Sequence, residues 1–227
     1  MGSYARGARG GVAETQYLLA SHGHQVNISS PGVVLVSESR WLVPVFVGVW
    51  LFTAIAVGAA GLLEGLRPPV PQGILLLLTL AVLHLLYRVE PVRSWGLGVD
   101  ARVFVAFHLT RFVGFEFLRL YERGELPAEF ALTAGWGDIV VAVAAIPLLV
   151  AGPPAGRLRP WYLVWNVVGL VDILLVVGLA TRLALADATA LAPLLRFPLS
   201  LLITFVVPIV IATHVWLFRR IRGGSEP

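Results

Sequence analysis

The chain has 227 residues, of which 58% are hydrophobic and 13% charged, and its formal net charge is +4. Soluble domains are about half apolar and about a quarter charged. The composition and the mean hydropathy of +0.85 therefore exclude an ordinary soluble domain and predict a protein whose main partner is the lipid bilayer.

Two residue types are absent from the sequence. It contains no cysteine, and all 17 of its basic residues are arginine. Without cysteine there is no disulfide, thiolate nucleophile or iron–sulfur cluster, and without lysine there is no Schiff base or P-loop. Nucleic acid is also excluded as a partner, because the arginines flank apolar runs and do not form a basic patch on a polar domain.

Six mostly apolar runs predict membrane-spanning helices. In chain order they cover about residues 41–63, 73–87, 103–121, 134–151, 161–181 and 197–218. The second run is short, but Pro71 is suited to the first turn of a helix and can begin it. The connectors are short and carry turn residues. The predicted fold is therefore an all-α bundle of six transmembrane helices.

The ends of the chain differ from the bundle. Residues 1–40 are more polar and are predicted to form a separate N-terminal segment, residues 41–221 the membrane domain, and residues 222–227 a short tail. No apolar stretch near the N-terminus resembles a signal peptide. With six spans, eleven arginines fall on the side of both termini and five on the other. The positive-inside rule then places both termini in the cytoplasm, in a bacterial inner membrane.

Ionisable side chains inside a membrane span are costly and usually functional. Arg111 lies near the middle of the third run and Asp172 near the middle of the fifth. Opposite charges at one depth are expected to pair, either as a structural lock between two helices or as a gate. Glu116 and Asp138 lie nearer the outer face, and we expect Glu116 to meet a nearby arginine and Asp138 to occupy the first turns of its helix.

These residues form a candidate ion or proton site. Its predicted members are Arg111, Asp172, Glu116, Asp138 and the polar neighbour Asn166. One arginine against three carboxylates leaves an excess of negative charge, which suits a cation or a proton. The Gly135–Gly137 pair is expected to bring Asp138 close to a neighbouring helix.

Three histidines in three different runs lie close to arginines that mark one membrane interface. From the spacing to Arg88, Arg102 and Arg219, we expect the three to reach a common depth, about 6 to 9 Å into the membrane. The three are His84, His108 and His214. They could be packing residues, a proton relay toward Asp172 and Glu116, or ligands of zinc or iron, or of haem if two act as axial ligands.

Prolines lie inside two of the predicted spans. Pro208 lacks the amide proton that would bond the carbonyl of Thr204, and Pro147 likewise frees the carbonyl of Val143. In a membrane, such carbonyls must find another donor.

Two functions remain open from the sequence. The leading interpretation is transport of a small ion or solute with proton involvement, with Arg111 and Asp172 as the central pair. The alternative is a haem- or metal-binding redox protein, or an accessory subunit of a larger membrane complex. A homo-oligomer is compatible with either, and the sequence has no pattern that assigns an enzymatic reaction.

Overall fold

The structure is a computed structural model that describes residues 31–223, with side chains from residue 41 onward. The described residues from Arg40 onward form one compact unit. The expectations for the polar segment 1–40 fall mostly outside the described residues, as does most of the short tail. Within the described part of the chain all regular structure is helical, which confirms the all-α class.

Eight α-helices are found between residues 31 and 223. They are α1 Pro31–Ala59, α2 Val70–Arg88, α3 Glu90–Gly98, α4 Ala101–Phe107, α5 Gly114–Glu122, α6 Ala128–Ala151, α7 Arg159–Ala186 and α8 Val207–Arg222. A 3₁₀ segment, His108–Val113, joins α4 to α5 without a break. A π-helical turn, Leu202–Val206, leads into α8.

Five helical stretches are long and apolar enough to cross a membrane. They are Trp41–Ala59, Val70–Arg88, Ala128–Ala151, Gly156–Ala186 and Leu202–Arg222. These correspond to five of the six predicted spans. Many of their apolar side chains face outward, such as Phe52, which is 72% exposed. Such exposure is costly in water and is expected where hydrocarbon is the solvent.

The third predicted span, residues 103–121, differs from this pattern and is not one of the five. Instead of one long helix it consists of α4, the 3₁₀ segment and α5. A 3₁₀ helix has three residues per turn, so side chains three apart lie in line. His108, Arg111 and Gly114 follow that spacing, and all three are buried. The polar side chains therefore point into the bundle and not toward lipid.

Glycines let α5 pack closely against α6. A Cβ on Gly135 would lie 2.8 Å from Cδ2 of Leu118 and 3.0 Å from the carbonyl oxygen of Gly114. A Cβ on Gly114 would in turn lie 3.1 Å from Cβ of Asp138. Small residues at a helix contact allow this backbone approach, and here it brings Asp138 to the segment that carries Arg111.

The carbonyl that Pro208 leaves free has found a donor. Trp50 on α1 donates its indole N–H to the Thr204 oxygen at 3.0 Å. Its ring also makes an edge contact with Phe205, at 4.9 Å between centroids. The π-helical turn thus anchors α1 through one tryptophan, and the expectation for the Thr204 carbonyl is confirmed.

The core next to the cluster described below is tightly packed. Trp216 on α8 is fully buried and donates its indole N–H to the Gly96 carbonyl at 3.1 Å. Tyr162 on α7 is also fully buried and donates its hydroxyl proton toward the Leu148 and Gly152 carbonyls. These bonds join α3 to α8 and α6 to α7, and hold the helices that carry the polar residues.

Candidate functional site: a buried ion-pair and histidine cluster

Arg111 is held between two carboxylates in the interior of the bundle. Its Nε donates to Oδ1 of Asp138 at 2.7 Å, and its terminal nitrogens donate to Asp172 and, at 3.0 Å, to the Gly169 carbonyl. The Arg111 side chain is 3% exposed, and those of Asp138 and Asp172 are 5% and 21% exposed. The pairing of Arg111 with Asp172 is therefore present, and Asp172 is the most accessible of the three charged groups.

The position of Asp138 corrects the sequence interpretation. The fourth span was expected to begin near residue 134, with Asp138 in its first turns. Because α6 begins at Ala128, just after Pro127, Asp138 lies in the eleventh position of the helix. The helix dipole stabilises charges only within about the first turn. The Asp138 carboxylate lies beyond that turn, and its charge is balanced by Arg111.

Asp172 reaches this site because α6 has no side chain at the point of contact. A Cβ on Gly137 would overlap the Asp172 carboxylate. The expectation that the Gly135–Gly137 pair permits close helix contact therefore holds at both glycines, one against α5 and the other against α7.

Two histidines lie side by side next to the ion pair. His108 and His214 are fully buried, with ring centroids 4.1 Å apart and ring planes inclined by 49°. Trp165 packs its ring edge against His108 at a centroid distance of 5.0 Å. Gly169, whose carbonyl accepts from Arg111, has its Cα against the His214 ring. Gly169 is thus the point at which the histidine pair and the ion pair meet.

The hydrogen bonds of Asn166 determine the tautomer of His214. The Asn166 amide nitrogen donates to the His214 carbonyl at 3.0 Å, so its Oδ1 must face Nδ1 of His214, at 2.9 Å. Because that oxygen can only accept, Nδ1 carries the proton. Nε2 of neutral His214 then has a lone pair, and it has no hydrogen-bond partner among the described residues.

The same reasoning applies to His108. Its Nε2 lies 3.2 Å from the Thr213 hydroxyl, which donates its single proton to the Ile209 carbonyl at 2.8 Å. When the hydroxyl proton is donated to that carbonyl, Nε2 of His108 is the donor and Nδ1 holds a lone pair. Within the described chain, Nδ1 of His108 also has no partner. Two buried imidazoles thus present two uncommitted nitrogen lone pairs.

Two residues of the predicted sites, one from the histidine set and one from the ion or proton site, lie apart from this cluster. His84 is exposed on α2, and the described residues contain no group of three or more His, Asp or Glu side chains placed to hold a metal ion. Glu116 pairs with Arg119 one turn along α5, at 2.6 Å, as expected from the sequence. The structure therefore brings together Arg111, Asp138, Asp172, Asn166, His108 and His214, but not His84 or Glu116.

The histidine pair does not fit a haem held between two axial ligands. Such imidazoles bind opposite faces of one iron, with their nitrogens roughly 4 Å apart and their ring centres considerably further. Here the ring centres themselves are 4.1 Å apart and the rings are in contact. No space for a macrocycle separates them.

An apolar cavity of about 520 Å³ adjoins the ion pair. It lies among α2, α5, α6, α7 and α8, and Asp138 is one of its lining residues. Neither this cavity nor the roles of Thr213 and Gly169 were predicted from the sequence. A threonine or glycine in an apolar helix is common, so nothing in the pattern distinguished these two from ordinary packing residues.

The fold and the site define a helical membrane protein with a buried cluster of charged and imidazole groups. Residues 68–222 match the family described as a domain of unknown function, DUF8737, and the chain belongs to this family. The matched segment includes every residue of the cluster. Neither the proteins with curated descriptions nor the solved structures include a match to the chain.

Proposed function

We propose that this protein transports a small ion or solute across a bacterial inner membrane with the participation of a proton. The observation that carries the proposal is the arrangement around Arg111: one buried cation between two carboxylates, beside two imidazoles with free lone pairs. Each carboxylate and each imidazole can bind one proton or one cation, and Arg111 can then change its partner.

The charge balance of the cluster supports this proposal. Arg111 with ionised Asp138 and Asp172 sums to −1 when both histidines are neutral. A net charge in a membrane interior is strongly unfavourable, so the cluster favours an additional proton or a monovalent cation. A proton or cation can reach the cluster at Asp172, whose side chain is 21% exposed, whereas both imidazoles are fully buried.

The proposed topology has six crossings and cytoplasmic termini. The continuous helical segment from Ala101 to Glu122 has 22 residues, which span roughly 33 Å at an α-helical rise, about the thickness of the hydrocarbon layer. Its central charge, Arg111, faces the bundle, and its other charged residues lie near the two ends of the segment. If this segment counts as a crossing, the chain has six crossings, and more arginines lie on the side of both termini than on the other side. By the positive-inside rule, both termini are then cytoplasmic.

The test is proton flux into proteoliposomes that contain a pH-sensitive dye, driven by a potassium diffusion potential. We expect Asp172→Asn to lower the flux at least tenfold, because the carboxylate can no longer exchange a proton or release Arg111. The matched control is Glu129→Gln, which removes one partner of an exposed ion pair with Arg182. That variant should conduct as the unmodified protein does.

Two results would contradict the proposal. One is an Asp172→Asn protein that keeps its thermal unfolding midpoint and its full flux. The other is an Asp172→Asn protein that does not insert stably, together with an unmodified protein whose proton flux does not exceed that of protein-free liposomes. The Arg111–Asp172 pair would then be a structural lock between helices.

The free nitrogens of His108 and His214 favour a second candidate, a metal-binding membrane redox protein. Metal analysis and oxidised and reduced absorption spectra of the purified protein test it. Stoichiometric zinc, iron or copper that is lost in His108→Gln would favour this candidate over transport. A colourless, metal-free and folded protein would exclude it.

A further inference from the structure

The cavity beside the ion pair has the size and lining of a ligand site. Its volume of about 520 Å³ lies within the range of about 300–1,000 Å³ that small-molecule pockets occupy. Most of its lining side chains are aliphatic or aromatic, including Leu75, Phe117 and Val177. An apolar molecule would therefore be stabilised over most of its surface.

The cavity opens toward the lipid phase. Leu76 on α2 and Leu174 on α7 line it, and these residues are also 57% and 51% exposed. Both helices belong to the membrane-crossing set. A ligand therefore enters sideways from the hydrocarbon layer, which selects molecules dissolved in the bilayer over molecules dissolved in water.

The polar groups at the cavity are mainly acceptors. The hydroxyl protons of Thr79 and Thr181 are already donated to the Leu75 and Val177 carbonyls, at 2.7 and 2.8 Å. Gln72 also lines the cavity with an amide that can both donate and accept, and its Oε1 is buried with no partner in the described part of the chain. Asp138 adds a carboxylate. The complementary group on a ligand is therefore a hydrogen-bond donor, and in a bilayer the common neutral donor is a hydroxyl.

We propose that this cavity binds a lipid-soluble molecule with a hydroxyl group at one end, such as a prenyl alcohol or a long-chain hydroquinone. The apolar chain lies between α2 and α7, and the hydroxyl donates to Gln72 or Asp138. Leaving Oε1 of Gln72 without a donor costs free energy, and the ligand hydroxyl removes that cost. The cavity shares Asp138 with the ion pair of the proposed transport site, but ligand binding is measured without any flux, so the failure of one proposal can be told apart from the failure of the other.

Binding is tested on the full chain in detergent by native mass spectrometry. The probes are geranylgeraniol and a decyl-substituted benzohydroquinone, each compared with its methyl ether. We expect one of the two hydroxyl compounds to bind at least tenfold more tightly than its ether, because the ether keeps the apolar surface and lacks the donor. The compound that binds identifies which of the two classes occupies the site.

Variants locate the bound molecule. Ala180→Phe fills the cavity from α7 and should weaken binding at least tenfold, and Ala184→Leu serves the same purpose if the larger change prevents folding. Gln72→Leu should make the alcohol and its ether bind equally. The control Val150→Phe adds similar bulk at a residue that is 84% exposed and does not line the cavity, and it should leave binding unchanged.

Three outcomes would overturn the proposal. The first is that neither hydroxyl compound binds the unmodified protein. The second is that the ethers bind as tightly as the alcohols, which would indicate nonspecific partition into the detergent layer. The third is that both cavity-filling variants fold and bind as the original does, which would place the molecule elsewhere on the surface.

Discussion

His108 and His214 lie against each other, 4.1 Å between ring centroids, and each has one nitrogen committed to a hydrogen bond and one that is free. The committed nitrogens are fixed by different helices, through Thr213 on α8 and Asn166 on α7. Hydrogen bonds to Thr213 and Asn166 therefore orient the two rings, and the remaining nitrogen of each ring can accept a proton or an ion.

The tautomer of His214 can be measured directly. In protein labelled with ¹⁵N-histidine, we expect the neutral form of His214 to show a protonated Nδ1 and an unprotonated Nε2, because Oδ1 of Asn166 can only accept. His214→Gln identifies the resonances, and Asn166→Leu should remove the preference. A neutral His214 with its proton on Nε2 would contradict the assigned hydrogen bonds.

Gly169→Ala should disrupt the junction between the histidine pair and the ion pair. Its Cβ would lie 2.6 Å from Cε1 and 2.8 Å from Nε2 of His214, and overpacking of this kind costs about 1–3 kcal/mol. We expect a lower free energy of unfolding, measured in detergent by chemical denaturation. Gly178→Ala on the same helix is the control, since a Cβ there meets nothing within 4 Å.

If Gly178→Ala destabilises the protein as much as Gly169→Ala does, the contact with His214 is not the cause. Alanine is the better helix former by up to about 1 kcal/mol, so the control should be neutral or slightly stabilising. The difference between the two variants therefore measures the steric effect alone.

Trp50→Phe should loosen α1 from the π-helical turn. The change keeps a ring against Phe205 but removes the donor to the Thr204 carbonyl, and an unpaired buried carbonyl costs about 1–3 kcal/mol. We expect faster hydrogen exchange of amides in the π-helical turn, measured by mass spectrometry. Trp41→Phe, at a residue 73% exposed, should leave the exchange unchanged; equal effects would contradict the anchoring role.

Asp100 caps α4 and should make a pH-dependent contribution to stability. Its carboxylate accepts from the side chain and the backbone N–H of Arg102, and these bonds hold the pKa of Asp100 below its ordinary value. The contribution is therefore complete above about pH 4 and is lost as the pH falls through the lowered pKa of the folded state. Removing a cap of this type costs roughly 1 kcal/mol.

Thermal unfolding of Asp100→Ala and Asp100→Asn between neutral and acidic pH tests this effect. Asn is about as good a cap as Asp, so Asp100→Asn should keep most of the stability and lose the pH dependence. Asp100→Ala should lose both. Identical acid sensitivity in the original and in Asp100→Asn would show that other carboxyls dominate.

The sequence predicted much of the architecture, because long apolar runs in a membrane protein allow few structures other than helices. It also predicted the partners Arg111 and Asp172, since both lie midway along their runs and an unpaired charge there is costly. The depth of a residue in the membrane could thus be predicted from its position along an apolar run.

Orientation around the helix axis was not readable in the same way. His84 lies four residues from Arg88 and His108 lies six residues from Arg102, yet His84 faces outward and His108 inward. Rotation is set by packing against neighbours. The predicted position of Asp138 within its helix was wrong because the search for apolar runs missed the start of α6. The helix begins at Ala128, in a segment that polar residues interrupt.

The 3₁₀ segment His108–Val113 sets the register of the whole cluster. Rewinding its six residues into an α-helix would shorten the segment by about 3 Å and turn Arg111 roughly 60° relative to His108. The guanidinium and the imidazole would then project in different directions, so that the contact with Asp138 and the contact with His214 could not both survive. The contact between the Arg111 ion pair and the histidine pair therefore depends on the 3₁₀ pitch of these six residues.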